Sequence, residues 1–315
     1  MPDGLNPDEI SRFRNDVERL AGGDVRLGLA VSGGPDSLAM LLLAHAAYGA
    51  SAAMVATVDH GLRPEARQEA TYVGQVSAAL NMAHFILTPP APITGSLQMQ
   101  ARKARYAALE NWRVAQNLSY ILTAHHIDDQ VETLMMRLNR GSGVSGLAGI
   151  RARNNTVIRP LLGWRRAELR DIVERSGIAP VDDPSNADPH FDRARIRGHL
   201  AHADWINAPA MAQSAHWLAD ADIALEWTAN LLLQDRLRYE DETASLSPAG
   251  LPAALLQRLV LRALCAVDSD SAPRGGAMVT LIAALQRGET RNLGRVRAVG
   301  GDVWRFARAT PRRKK

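Results

Sequence analysis

The sequence holds one cysteine, Cys265, in 315 residues. A single thiol cannot build a disulfide framework, a cysteine-cluster metal site or an iron–sulfur centre. A reducing compartment, the cytoplasm, is the expectation. No run of about 18 apolar residues occurs, which argues against a membrane span. The first fifteen residues carry Pro2, Asp3, Pro7, Asp8 and Glu9 without an apolar stretch, so they are not read as a secretory signal. Internal repeats are missing. So is any G-x-x-x-x-G-K-[ST] motif, which excludes the Walker route to nucleotide binding.

Charge is present but unevenly spread. The chain has 37 Lys+Arg against 33 Asp+Glu, a net +4. The stretch from Arg287 to Lys315 has ten basic residues and two acids, so its +8 leaves −4 for everything before it. Such asymmetry points to a polyanionic partner or to a solvated basic tail.

Apolar runs alternate with helical patterns through the first half. Val25–Val31, Ala52–Val58, His84–Leu87 and Tyr120–Thr123 read as strands. Pro35–Gly49, Glu65–Asn81, Gln98–Asn117 and Asp128–Arg140 read as the helices between and after them. Gly141–Gly149 is a Gly/Ser-rich loop, Thr156–Arg159 a further strand, Arg165–Ser176 a helix, and Asp182–Pro189 turn chemistry. This order predicts an α/β fold, a doubly wound and mostly parallel Rossmann-like sheet. Beyond residue 205 the texture changes. Ala208–Tyr239, Leu251–Val267 and Met278–Arg287 read as helices, and Arg291–Ala309 as a β-hairpin turning at Gly300-Gly301. The expected division is a catalytic domain over 1–205 and a smaller, mainly helical domain over 206–315 ending in that hairpin and the basic tail.

The most informative segment is Ser32-Gly33-Gly34-Pro35-Asp36-Ser37, set between a strand and a helix. Two glycines permit a sharp turn and close approach to a ligand. The helix start offers unpaired N–H groups and a positive dipole end to phosphate. Ser32 and Ser37 add hydroxyls. Asp36 is itself anionic, so it makes sense as a ligand to Mg²⁺ bridging phosphates. The loop resembles the PP-loop of the N-type ATP pyrophosphatases, which cleave ATP between the α and β phosphates.

Further segments narrow the resemblance. They are Val58-Asp59-His60-Gly61-Leu62-Arg63, Gln100 to Tyr106, and Thr123 to Thr133 with its His125-His126-Ile127-Asp128-Asp129-Gln130 core. Arg137 to Gly143, Arg159-Pro160-Leu161-Leu162 and Asp183-Pro184-Ser185-Asn186 follow in order. Together they resemble the tRNA(Ile)-lysidine synthetases over residues 25–200. The resemblance implies adenylation by ATP of C2 of the wobble cytidine, position 34, in a CAU-anticodon tRNA(Ile). Free L-lysine then displaces AMP.

In those roles, Ser32, Gly33, Gly34, Pro35, Asp36 and Ser37 would cradle ATP, with His60 and Arg63 beside it and Asp36 on Mg²⁺. Arg102 and Arg105, three apart, would meet charge developing on pyrophosphate or the adenylate. Asp129 and Glu132, also three apart, would hold the lysine ammonium or the metal. His125 or His126 would assist proton transfer. Arg137, Arg140, Arg193, Arg195 and Arg197 would face the tRNA, and the Gly141–Gly149 loop would lie near the reacting base. The family commonly has Asn where this chain has Ala194, and its long members carry two C-terminal domains where this chain has room for one. A homodimer stays open. A 2-thiocytidine synthetase would need more cysteines than Cys265. A small-molecule ligase such as NAD synthetase has no use for the basic end, and a non-catalytic RNA-binding protein has none for an intact phosphate loop.

Overall fold

The computed structural model describes residues 4–23, 25–61, 65–89, 97–181, 192–271, 273 and 275–309. Arg63, the Asp182–Pro189 turn chemistry and the Arg312–Lys315 tail lie outside the described residues. The chain divides into two compact units, Met1–Gly141 with Leu147–His216 and Ser142–Gly146 with Trp217–Lys315.

The first unit opens with helix α1, Pro7–Ala21, which the sequence reading passed over. Its signals are local. Pro7 stands at the first helical position, where a missing N–H costs nothing. Asn6 accepts from the Asp8 amide at 3.0 Å, and Glu9 reaches back to the Asn6 amide at 3.0 Å. Phe13, Val17 and Leu20 recur at helical spacing and are buried.

Strand and helix then alternate as the sequence predicts: β1 Leu27–Ala30, α2 Pro35–Tyr48, β2 Ala53–Val58, α3 Glu65–Ala79, β3 His84–Leu87, α4 Leu97–Ala115, β4 Tyr120–Leu122 and α5 Ile127–Asn139. The short helix α6, Val144–Leu147, sits within the Gly/Ser-rich loop. Next come β5 Arg153–Asn154, β6 Val157–Ile158, a 3₁₀ turn Pro160–Gly163, α7 Arg166–Ser176 and α8 Asp192–Leu200. The sheet order is β3-β2-β1-β4-β6-β5, parallel except for the terminal β5–β6 pair.

Helix α2 is apolar on nearly every side, and Leu38 to Ala44 are all buried. A helix with no polar face must be covered all round. The sheet lies on one side, and α1 and α7 pack against it too. On the sheet's other face Trp112 of α4 lies over Gly28 of β1. A methyl group added at Gly28 would stand 2.7 Å from the Trp112 ring and 2.8 Å from Ile121 and Leu118. Gly28→Ala is therefore expected to destabilise the protein by about 1–3 kcal/mol through overpacking. Urea unfolding measures this, and an unchanged midpoint would show that the Trp112 face yields freely.

The long helix α9, Ala208–Arg236, begins in the first unit and continues into the second, where it stops at Arg236, three residues short of its predicted end. There the chain enters a hairpin, β7 Leu237–Glu240 and β8 Thr243–Leu246. Helices α10, Ala253–Val267, and α11, Gly275–Gln286, follow as predicted. The expected hairpin is present as β10 Val296–Val299 and β11 Trp304–Arg308, and Thr290–Leu293 adds β9. The five strands form one antiparallel sheet, β7-β8-β11-β10-β9, so this unit carries more sheet than a single hairpin. One face, with Ala244, Leu246, Val296, Ala298, Trp304 and Phe306, is buried together with apolar residues of α10 and α11. Alternation sends Arg238, Arg297 and Arg305 to the other face, all exposed.

Candidate active site

The parallel sheet reverses direction of winding between β1 and β4. In open α/β sheets this switch point, outside the carboxyl ends of the strands, is where ligands bind. The loop after β1 and the loop after β4 meet there.

The first is the Ser32–Ser37 segment. Gly33 has φ +90°, and a Cβ at that position would also press on Val181 at 3.1 Å. Gly34 caps α2 with no side-chain hydrogen bond, so the first amides of the helix stay available for an anion. Ser37 Oγ accepts from the Ser32 amide at 3.1 Å and donates to the Gly34 carbonyl at 2.9 Å, fixing the turn. Pro35 starts the helix and Asp36 lies in its first turn.

The second loop brings His125 and His126 to the start of α5. His126 is 1% exposed, and its ring lies 3.4 Å from Asp36 and 3.6 Å from both Asp128 and Asp129. Burial alone would lower its pKa. The three carboxylates outweigh burial and raise it to about 9. An unfolded histidine titrates near 6.5. The imidazolium therefore contributes stability that is complete below about pH 6.5 and disappears as pH rises through about 9, roughly 3 kcal/mol in all. Urea unfolding from pH 6 to 10 with chelator present should show that loss, and His126→Asn should flatten it. A flat wild-type profile would mean the imidazole is neutral.

His125 behaves oppositely. Its Nδ1 meets Thr123 Oγ1 at 3.0 Å. Burial, then the charges of Arg159, Arg105, Arg102 and Arg193, hold its pKa well below the usual value. It is a neutral imidazole with a lone pair and little basicity. Around it the arginines converge. Arg102 and Arg105 flank the Tyr106 ring at 5.1 and 5.4 Å, and Arg159 Nη2 lies 3.5 Å from the Tyr106 hydroxyl. Burial, and then Arg105, lower the pKa of His60, which places His60 in the same field. Arg137 is part-buried and its pKa is lowered by burial and by Arg151 and Arg102.

Asp129 and Glu132 do share a face of α5, and α8 occupies it. Arg193 contacts Glu132 at 2.7 Å and Asp129 at 2.8 Å; Arg197 contacts Glu132 at 2.6 Å. Glu132 is buried, and these guanidinium groups outweigh that burial and lower its pKa. Arg193 and Arg197 thus turn toward carboxylates and not outward. Arg195 and Arg140 both reach exposed Asp192, at 2.6 and 2.7 Å. Residues that the motifs did not single out for roles also matter. Tyr106 and Arg159 organise the arginine cluster. Gln130 accepts from the Ile150 amide at 2.6 Å and so anchors the end of the Gly-rich loop.

Among the described residues no group of three or more His, Cys, Asp or Glu has metal-binding geometry. The chemistry of the donors still suits one metal. Asp36 Oδ1 is buried with no hydrogen-bond partner. Mg²⁺ commonly takes one or two carboxylates and completes its shell with phosphates and water.

The PP-loop domain family matches residues 8–203. A tRNA(Ile)-lysidine synthase of Zymomonas mobilis is 42% identical over 298 residues, covering 92% of this chain and 90% of that protein. Another, of Novosphingobium aromaticivorans, is 42% identical over 311 residues, covering 96% and 94%. The chain belongs to the tRNA(Ile)-lysidine synthase family. Among solved structures, the U34-tRNA thiolase NcsA of Methanococcus maripaludis, with its [4Fe-4S] cluster, aligns with a TM-score of 0.52 at 15% identity. That alignment covers 67% of this chain and 78% of the thiolase and shows shared fold alone. This chain and the thiolase share that fold, and Cys265, the sole thiol here, donates to the Ser271 carbonyl at 3.4 Å.

Proposed function

We propose that the protein is an ATP-dependent carbon–nitrogen ligase that converts the wobble cytidine of CAU-anticodon tRNA(Ile) to lysidine. The reading rests on one juxtaposition: a phosphate-cradling helix start faces an acidic helix start across the switch point, with a cluster of arginines beside them. The cytosine C2 oxygen attacks the α-phosphorus of ATP, and pyrophosphate leaves. An amino group of free L-lysine then attacks C2, loses a proton, and AMP departs with the former C2 oxygen.

The loop Ser32–Ser37 would bind the phosphates. Asp36 would hold Mg²⁺, with Asp129 near it; the ion would neutralise charge on the phosphates. Arg102, Arg105 and Arg159 stabilise negative charge developing on the leaving groups. Neutral His125 keeps a lone pair and can accept the amine proton only weakly. Asp129 and Glu132 would receive the lysine ammonium once Arg193 and Arg197 move aside. The open sheet face with Arg238, Arg297 and Arg305 suits tRNA phosphate, whose binding would weaken with salt through counterion release. No described helix is long and apolar enough to cross a membrane, and a cytoplasmic enzyme meeting free tRNA is the proposed setting.

The deciding assay combines the protein, ATP, Mg²⁺, labelled lysine and a CAU-anticodon tRNA(Ile) transcript. Label should enter the RNA with one AMP formed per lysine. AMP formation without labelled RNA would overturn the reading.

A further inference from the structure

Arg166 is the first residue of α7. Its amide donates to Asp128 Oδ2 at 2.8 Å, which ties the start of α7 to the start of α5. Its side chain is half-buried, and Nε is buried with no hydrogen-bond partner. Among the described residues no acceptor meets its other nitrogens. A buried N–H without an acceptor is costly, so the unmet Nε calls for an absent acceptor. Of the nearby carboxylates two are already engaged, and Asp36 acts on Arg166 through charge without a hydrogen bond. Asp128 takes Arg165 at 2.9 Å, and Glu132 takes Arg193 and Arg197.

A cavity of about 490 Å³ opens at this residue. That is ample for a small metabolite. Val131, Leu200 and Ile206 give it an apolar wall. Asp128, Glu132 and Asp204 line it as well. Arg165 and Arg197 line it too and pair with Asp128 and Glu132, which leaves Arg166 and exposed Asp204 as the lining charges without an ion pair among the described residues. Opposite charges so placed favour a ligand with one cationic and one anionic end over a polyphosphate. The apolar wall suits a short aliphatic chain, and the fork of Arg166 suits a carboxylate. A zwitterionic amino acid with a long basic side chain has all three parts.

We infer that Arg166 binds the α-carboxylate of the incoming lysine, and that this cavity admits the free amino acid to the site. The inference rests on the ligase reading above and adds to it the residue that separates lysine from a simple diamine.

The test compares L-lysine with cadaverine, which is lysine without its carboxylate, at saturating ATP and tRNA transcript. Wild type should favour lysine in kcat/KM by about 100-fold, the scale of a lost charged hydrogen-bond pair. Arg166→Gln should raise the lysine KM by about 100-fold and erase the preference, while the KM for ATP and the rate of pyrophosphate release stay within about threefold. Arg166→Lys, which keeps the charge and loses the fork, should fall between. Arg170→Gln, exposed on the same helix, should behave as wild type. Retained pyrophosphate release shows that each variant is folded. An Arg166→Gln variant that keeps the preference overturns the assignment, as does a wild type indifferent to the carboxylate. A defect confined to the KM for ATP would assign Arg166 to phosphate instead. Wild type that labels no RNA with lysine overturns the ligase reading and this assignment together.

Discussion

Asp36→Ala should reduce pyrophosphate release by at least about a thousandfold, equivalent to about 4 kcal/mol of barrier, with tRNA affinity nearly unchanged. The reasoning begins with the Asp36 carboxyl. One oxygen is buried without a partner, and the other faces buried His126 at 3.4 Å. No other described carboxylate lies on the phosphate loop itself. Without Asp36 the phosphates lose their proposed metal, and His126 loses one of the three carboxylates that keep it charged. The exposed arginines of the second unit and the cluster around Tyr106 are untouched. Asp36→Asn should fail as badly, because it keeps the shape and removes the charge. Pyrophosphate release and filter binding of tRNA make the comparison. Turnover within tenfold of wild type in Asp36→Ala would remove Asp36 from any metal role.

Glu132→Gln should have the second largest effect, and on a different step. Lysine transfer should drop by about 100-fold or more, while adenylation continues. Glu132 is 3% exposed and receives two guanidinium groups. A neutral amide balances neither. Stripping one partner from a buried ion pair costs about 3–5 kcal/mol, and the part-exposed arginines bring the expectation here to about 2–3 kcal/mol. Helix α8 buries no residue fully, and apart from Leu200 packing against Ile127 and Val131 these pairs hold it on α5. Faster amide exchange in residues 192–200 should accompany the loss. Normal lysine KM with normal exchange would show that Glu132 neither receives lysine nor docks α8.

The first unit was largely legible because its signals are local. Strand residues are continuous apolar runs, α2 and α3 begin at Pro35 and Glu65, and the Ser32–Ser37 loop has few other uses. The switch point needed the strand order, which the structure supplies. Helix α1 escaped although its cap signals are local, and most of what else escaped is tertiary. Nothing local shows that Arg193 and Arg197 turn inward to Glu132, more than sixty positions earlier. A basic helix reads as phosphate-facing until its partner is seen. Arg166 gave no signal because its character lies in the acceptor it lacks. The β7–β8 hairpin was missed because Asp241-Glu242 is a weak turn signature and Leu237 continues the apolar texture of α9. Asp241 takes the left-handed conformation there at φ 51°.

The pairing of β1 with β4 also bears on the order in which the molecule assembles. The two strands are neighbours in the sheet but distant in the chain, with β2, β3 and three helices between them. Closing so long a segment is slow and comes after local structure. The phosphate loop and the acidic helix start therefore face each other only once the intervening elements have folded. Nucleotide can bind a finished first unit but cannot guide its early folding, so ATP should slow unfolding and leave the refolding rate unaltered.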